Sequence, residues 1–535
     1  MYVEPDSPLS VRPQRGDELE LQVDSLAFGG EGVARLGDTP SGTYPDGHRQ
    51  AGGYVVFVAG AIPGDRVRAV VHKRKRSYAH ARVVEVLEPS PERIAPVAHH
   101  PGAPWQVIPY ERQLQIKSAQ VDEALRRLGR LDGFQLQDIV PAVAPWRYRN
   151  KLEYSFGEGP ELADGRGPGE GERPELVCGF HAPAGANRVV AIDDCMLASE
   201  RGNLARDLAL SWCRAQGLTA WDRGRPRGHE DRPPEDDGRP RGDEDRPRGD
   251  DGRLRGGARR GAQRGERIRP APDGRVRLRN LVVREGRRTD QLQVRIVTTG
   301  GELDAGSLAA ALSAGLREHL SGVLWTRSHS LAETTAGGET ELVWGDAQLP
   351  ERLGELDLRI SAEAFFQTNT EMAELLYGVA AEYAALEGWE RVFDLYSGIG
   401  TIALTLAPRA GELWGIELVE EAVADAIAGA RRNEVANAHF FAGDTRTALP
   451  ELLTRSGRPD VVVVDPPRAG LSKKVVRRII DASPRRIVYV SCNPTTLAPN
   501  AAELVEAGWT LRKVRPVDMF PQTHHIEVVA LLERT

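Results

Sequence analysis

Between residues 350 and 535 short apolar runs alternate with helical stretches, and no other feature of the chain restricts its fold as much. Arg391-Val-Phe-Asp-Leu395, Glu412-Leu-Trp-Gly-Ile416, His439-Phe-Phe441, Asp460-Val-Val-Val-Val464 and Arg486-Ile-Val-Tyr-Val490 read as strands, with two more over Leu511–Val517 and Ile526–Leu532. Helices are expected from about Thr401 and through Ala422 to Arg432. Strands that alternate with helices have both faces covered, which predicts an α/β domain with a parallel, doubly wound sheet over 350–535. Ligands of such sheets collect beyond the carboxyl ends of the strands. The candidate residues are accordingly those that end a strand: Glu417, Asp465 and Cys492.

Residues 16–88 predict a second architecture. Leu19–Val23, Gly53–Val58, Val67–Val71 and Ala81–Val86 are short strands punctuated by the turns Gly29-Gly30-Glu-Gly32 and Ile62-Pro63-Gly64-Asp65. That spacing suits a small OB-like barrel. Its last hairpin carries His72-Lys-Arg-Lys-Arg76-Ser-Tyr78-Ala-His80. Such a run is either a solvated turn or a loop that contacts RNA phosphates. Residues 89–345 mix α and β, with helical spacing from Tyr110 to Leu128 and strands at Arg147–Phe156, Gln291–Val297 and Gly322–Thr326. Within them, 222–269 repeats Gly-Arg-Pro-Arg-Gly at 224–228 and 238–242 and holds almost nothing apolar. A segment that buries so little cannot offset its ordering entropy, so a disordered insertion is expected there.

The chain has 535 residues and a net charge of -7. No global basic character announces a nucleic-acid partner, although a local basic face fits within an acidic total. The 4 cysteines exclude a disulfide scaffold and suit a reducing cytoplasm. The N-terminus lacks the basic-then-apolar pattern of a signal peptide, and no apolar run is long enough to cross a bilayer. A cytoplasmic monomer without membrane contact is expected.

Cys492 lies in Val-Tyr-Val-Ser-Cys492-Asn-Pro494, where a buried strand delivers a thiol to the sheet edge, a place for a nucleophile. A lone cysteine otherwise serves as a small core residue. Asp394-Leu-Tyr396-Ser-Gly398-Ile-Gly400 is a glycine turn between strand and helix. Glu417, about twenty residues on, can take both hydroxyls of a ribose. The turn lacks the third glycine of a dinucleotide site, so S-adenosylmethionine suits it better than NAD. Asp465-Pro-Pro-Arg468 stiffens the loop after a wholly apolar strand. His524 and His525 have no cluster of further ligands, so no metal site is expected.

Five stretches together resemble the S-adenosylmethionine-dependent RNA uracil-C5 methyltransferases. They are Phe365-Phe-Gln367-Thr-Asn369, Asp394–Gly400, Asp465-Pro-Pro-Arg-Ala-Gly-Leu471, Ser491-Cys-Asn-Pro494 and Asp518-Met-Phe-Pro-Gln-Thr-His-His-Ile-Glu527. The resemblance covers nearly the whole chain except 222–269, and the N-terminal barrel is similar to a TRAM domain. It implies a Rossmann-like class I methyltransferase domain preceded by an OB-like barrel and a central α+β domain, both of which bind RNA. It implies Cys492 as the nucleophile and Glu527 as the base that removes the C5 proton. Gln367, Tyr396, Glu417 and Asp465 would line the methyl-donor site, with Asp444 against the adenine. A thiolate adding at C6 would make C5 of uracil an enolate-like carbon able to accept a methyl group, and the base would then let the cysteine leave. By analogy, 23S ribosomal RNA is favoured over transfer RNA as the target.

Many members carry a four-cysteine iron–sulfur site. Here the first three positions fall near Ile94, His100 and Ala103, and only Cys195 matches the fourth. One thiolate cannot hold a cluster that needs four, so no iron–sulfur cluster is expected. Two other readings stay open. One is methylation of RNA cytosine or of a small molecule, although cytosine-C5 enzymes usually place a cysteine where Asp465-Pro-Pro-Arg stands. The other is a non-catalytic RNA-binding protein, against which intact Cys492 and Glu527 speak.

Overall fold

The computed structural model describes residues 12–36, 54–159, 175–182, 188–221, 273–332 and 334–534. The repetitive insertion 222–269 lies outside the described residues.

Strands β1 (Glu18–Leu26), β2 (Gly32–Leu36), β3 (Tyr54–Ala59), β4 (Arg66–Arg74) and β5 (Tyr78–Glu88) close into a barrel of order β1-β2-β3-β5-β4. Alternation builds it. In β4 every second residue, Val67, Ala69 and Val71, turns inward onto Leu21, Val23, Val56 and Val58. The alternation ends after Val71, and Lys73, Arg74, Lys75 and Arg76 at the β4–β5 tip are all exposed.

The helix Tyr110–Glu123 follows and continues as a π-helical turn over Ala124–Leu128, where regular α-helix was expected. Beyond it, β6 (Gln135–Leu136) joins the last sheet described below. The central sheet contains β7 (Lys151–Glu158), β8 (Leu176–His181), β9 (Val189–Ala191), β10 (Leu278–Gly286), β11 (Gln291–Thr298), β12 (Leu320–Arg327) and β13 (Glu339–Gly345). Its order is β13-β12-β11-β10-β7-β8-β9. The strand expected from Arg147 begins only at Lys151. Arg147 has φ 54°, and the amides of Arg147, Arg149 and Asn150 donate to Met196, Leu197 and Thr368 carbonyls rather than to a ladder. A hairpin of β14 (Gln348–Leu353) and β15 (Leu356–Ser361) leads into the last sheet.

That sheet is formed by β16 (Arg391–Leu395), β17 (Glu412–Glu417), β18 (Ala438–Ala442), β19 (Val461–Val464), β20 (Arg486–Ser491), β21 (Trp509–Val517) and β22 (Glu527–Arg534). The order is β18-β17-β16-β19-β20-β22-β21-β6. The first five pair in parallel, but β22 inserts antiparallel between β20 and β21. This departs from an all-parallel sheet for a simple reason. Only a loop separates β21 from β22, too short for the helical crossover that parallel neighbours require. Alternate residues feed two cores. Val392, Val461, Val463 and Val488 pack with Met372 and Leu376 of the helix Thr370–Ala384. Phe393, Val462, Val464 and Tyr489 pack with Val475 and Leu497 of the helices Lys473–Ala482 and Pro494–Glu506. The chain winds outward from β16 in one direction and from β19 in the other, so a crevice opens past Leu395 and Val464. Among the described residues no helix is long and apolar enough to cross a membrane.

Candidate active site

β20 brings a thiol and β22 a carboxyl to the same place. Ser491 pairs with Val528, and the next step of that register sets Cys492 beside Glu527, the first residue of β22. Glu527 is 3% exposed, whereas Cys492 is half-buried. Burial pushes the Cys492 thiol up to about 11; the Glu527 and Asp465 carboxyls add to this and the Arg468 guanidinium opposes it. Burial also raises Glu527 well above the usual carboxylate range, with Asp465 adding and Arg468 opposing. Asp465 lies half-buried just past β19 and is raised to about 7 by burial. Asp465 thus disfavours ionisation of both Cys492 and Glu527, and Arg468 favours it. Asn493 ties the two loops together. Its Oδ1 accepts from the Thr495 amide at 3.0 Å, capping the helix Pro494–Glu506, and its Nδ2 donates to the Arg468 carbonyl at 3.0 Å.

The glycine turn after β16 occupies the other flank. Tyr396, Gly398 and Gly400 have φ of 69°, 54° and 80°. The amides of Tyr396 and Ser397 donate to the Ile416 carbonyl at 2.9 and 3.0 Å, pinning the turn to β17. A Cβ on Gly400 would lie 2.8 Å from the Phe440 ring, so only glycine fits there, while Gly398 faces open space. The Glu417 carboxylate reaches over the turn and accepts the amides of Gly398, Leu418 and Val419 at 3.0, 2.7 and 2.9 Å. Leu418 and Val419 are 68% and 50% exposed, an apolar ledge beside that carboxylate. Tyr396 lies against Thr445, Asp444 and Glu417. Asp444 caps the helix Thr445–Ser456 and pairs with Arg446, which holds its carboxyl down to about 2. Gln367 is buried, and its carbonyl accepts from Asn150 Nδ2 at 2.8 Å. The nearby Asn369 donates to the Met519 carbonyl at 3.0 Å, tying this segment to the chain just past β21.

Sequence reasoning passed over two members of this constellation. Asp394 is fully buried inside β16, and neither carboxyl oxygen has a hydrogen-bond partner of ordinary geometry. Burial, then Asp465, pushes it up to about 8, and the Ala403 amide offsets this only in part. Arg468 was read as part of a stiff loop. The available signals were an acid within the apolar run Val392-Phe-Asp394-Leu395 and a cation straight after two prolines. An under-satisfied acid, Asp394, beside a glycine turn suits a cationic ligand. Glu417 suits ribose hydroxyls, and Leu418 and Val419 suit a flat base. The residues therefore fit S-adenosylmethionine, which carries an ammonium, a sulfonium, a ribose and an adenine.

Cys195 sits elsewhere, in the central core. His100 Nε2 lies 3.1 Å from its Sγ; Ala103 is buried and Ile94 is 45% exposed. Among the described residues no group of three or more His, Cys, Asp and Glu side chains is placed to hold a metal ion.

Comparison with known proteins follows the same division of the chain. The profile of the tRNA (uracil-5-)-methyltransferase family matches residues 346–535, and that of the TRAM domain matches residues 12–84. An uncharacterized RNA methyltransferase of Chlorobaculum tepidum is 34% identical, covering 98% of this chain and 98% of the relative. One from Halalkalibacterium halodurans is 31% identical, covering 97% of each chain. Among solved structures, the Pyrococcus abyssi tRNA (uracil-54, C5)-methyltransferase in complex with S-adenosyl-L-homocysteine shares the fold, with a TM-score of 0.65 at 23% identity over 96% of this chain and 100% of that one.

Proposed function

Because the chain belongs to the RNA uracil-5-methyltransferase family, we propose that it methylates C5 of a specific uridine, in 23S ribosomal RNA rather than transfer RNA, through a covalent Cys492–C6 adduct. The observation that supports this most is the strand register, which makes Cys492 and Glu527 neighbours at the edge where the glycine turn and Glu417 gather.

Gln367, Tyr396, Glu417, Asp465 and Asp444 would hold S-adenosylmethionine, which supplies an electrophilic methyl group. Cys492 Sγ, as thiolate, adds to C6 of the uracil ring, and the displaced electron pair makes C5 nucleophilic. Once C5 carries its methyl group, Glu527 as carboxylate takes the C5 proton, the C5–C6 double bond re-forms and the C–S bond breaks. Burial disfavours the charged form of both residues in the resting site. Arg468 favours both charged forms. The uracil must leave its stack to reach this edge. The exposed cations Lys73–Arg76, with Tyr78 beside them, supply phosphate contacts and an aromatic face on the barrel. The central region 89–345 adds further RNA contacts, and the enzyme works as a cytoplasmic monomer.

RNA tritiated at uridine C5 tests the chemistry. Tritium passes to water when the methyl donor is added, and Glu527→Gln suppresses the release. No release from wild type would contradict the reaction. Mapping 5-methyluridine in a deletion strain tests the target. Loss at a 23S position supports the reading; loss at a transfer-RNA position with ribosomal sites intact overturns it.

A further inference from the structure

The loop Asp518–Ile526 carries rings and charges that the reaction above leaves unused. Its start is bolted to the helix Tyr110–Glu123. Lys117 Nζ lies 2.6 Å from Asp518 Oδ1 with both side chains fully buried, and the Tyr110 hydroxyl donates to Asp518 Oδ2 at 2.8 Å. Gln113 then grips Gln522 twice, donating to its Oε1 at 2.8 Å and accepting from its amide at 3.0 Å. At the far end the His524 and His525 rings lie 4.1 Å apart, and Phe520 meets His525 edge-on at 5.9 Å. The barrel presses on this pair from outside. A Cβ added to Gly30, in the β1–β2 turn, would come within 2.9 Å of His524 Cβ.

The His525 ring ends the chain of contacts at a cation. Arg468 Nη2 lies 2.7 Å from His525 Nδ1. Burial, then His524 and Arg468, hold His525 down to about 3, so its ring is neutral at physiological pH and has a nitrogen free to accept. The Arg468 side chain is otherwise exposed, and a long exposed cation samples many positions. The charges facing this pair are Asp465 beyond β19, Cys492 beyond β20, Glu527 of β22, Lys117 of the helix and Arg149 before β7.

We propose that His525 is a positioning residue: its ring, clamped between Phe520 and the barrel-backed His524, accepts a hydrogen bond from Arg468 and holds that guanidinium beside Cys492 and Glu527. A cation fixed there favours the thiolate and the carboxylate that the reaction needs. The idea rests on Cys492 being the nucleophile and assigns the group that readies it.

Iodoacetamide alkylation of Cys492 in the full-length protein, read by peptide mass spectrometry from pH 6 to 10 without RNA or donor, reports the thiolate. Compared at equal pH, His525→Ala is expected to react about threefold more slowly at pH 8, the scale of one partly exposed charge. Arg468→Ala should lose at least as much. His525→Gln keeps an acceptor for Arg468 and should restore the wild-type profile. Coincident wild-type and His525→Ala profiles overturn the proposal, as does a His525→Gln variant as slow as His525→Ala. Neither RNA nor donor is present, so failure here leaves the methylation reading standing. Failure of wild type to methylate uridine would instead strike that reading alone.

Discussion

Replacing Lys117 by methionine tests how the loop that leads into Glu527 is held. Lys117 and Asp518 are 401 residues apart in the chain, and both side chains are 0% exposed. The ammonium donates to Asp518 Oδ1 at 2.6 Å and to the Phe520 carbonyl at 3.1 Å. Lys117→Met keeps most of the stem but leaves Asp518 buried with the Tyr110 hydroxyl as its remaining side-chain donor. Breaking a buried ion pair by removing one partner costs about 3–5 kcal/mol, because the surviving charge is uncompensated. At about 1.4 kcal/mol per factor of ten, local opening should become two to four orders of magnitude more frequent. Native-state hydrogen exchange of the amides from 518 to 526 reads this directly. The double variant Lys117→Met/Asp518→Leu removes both charges and should recover much of the loss. A change in exchange below about tenfold, or a double variant no more protected than the single one, would refute the reasoning.

Other substitutions test the remaining parts of the edge. The Asp394 carboxyl is raised to about 8, above its unfolded value. Its contribution to stability is therefore complete below the unfolded value and is lost as pH rises through about 8. Asp394→Asn should gain stability over wild type between pH 5 and pH 9 in thermal melts of the ligand-free protein, while binding S-adenosylmethionine more weakly in calorimetry. Glu527→Gln should slow turnover by about 10²–10⁴ and let the covalent RNA adduct accumulate, visible as a retarded band on a denaturing gel. Asp444→Ala removes the cap of the helix Thr445–Ser456 and should cost about 0.5–2 kcal/mol in urea unfolding.

The catalytic domain was legible in the sequence where local physics decides it. Val461–Val464 is apolar throughout and ends at Asp465, so both its burial and its polar terminus show in one dimension. The barrel strands were legible through their alternation, as in Val67, Ala69 and Val71. What stayed hidden is settled by partners distant in sequence. β10 is buried along its whole length although it holds Arg279, Asn280, Arg284 and Glu285. Its polar groups are met by segments far along the chain, Arg284 for example by the Ser361 and Ala364 carbonyls. β6 spans only Gln135–Leu136 and has no pattern of its own; the free edge of β21 makes it a strand. The antiparallel insertion of β22 follows from pairing across the sheet, which strand–helix alternation does not encode. In the site, the strand ends Glu417, Asp465 and Cys492 stood out by position. The empty acceptors of Asp394 and the contact between Arg468 and His525 exist only once β16, β19 and the 518–526 loop are folded together.

The central claim is that Cys492 bonds to the uracil before the methylated product leaves. RNA carrying 5-fluorouridine tests it most directly, because C5 then has no proton for Glu527 to remove and the adduct cannot resolve. Wild-type protein incubated with this RNA and S-adenosylmethionine should yield a donor-dependent covalent complex, with mass spectrometry placing the methylated nucleotide on Cys492. Cys492→Ala should form none. An adduct that persists in Cys492→Ala, or none in a wild-type protein that methylates the unfluorinated RNA, would contradict the account.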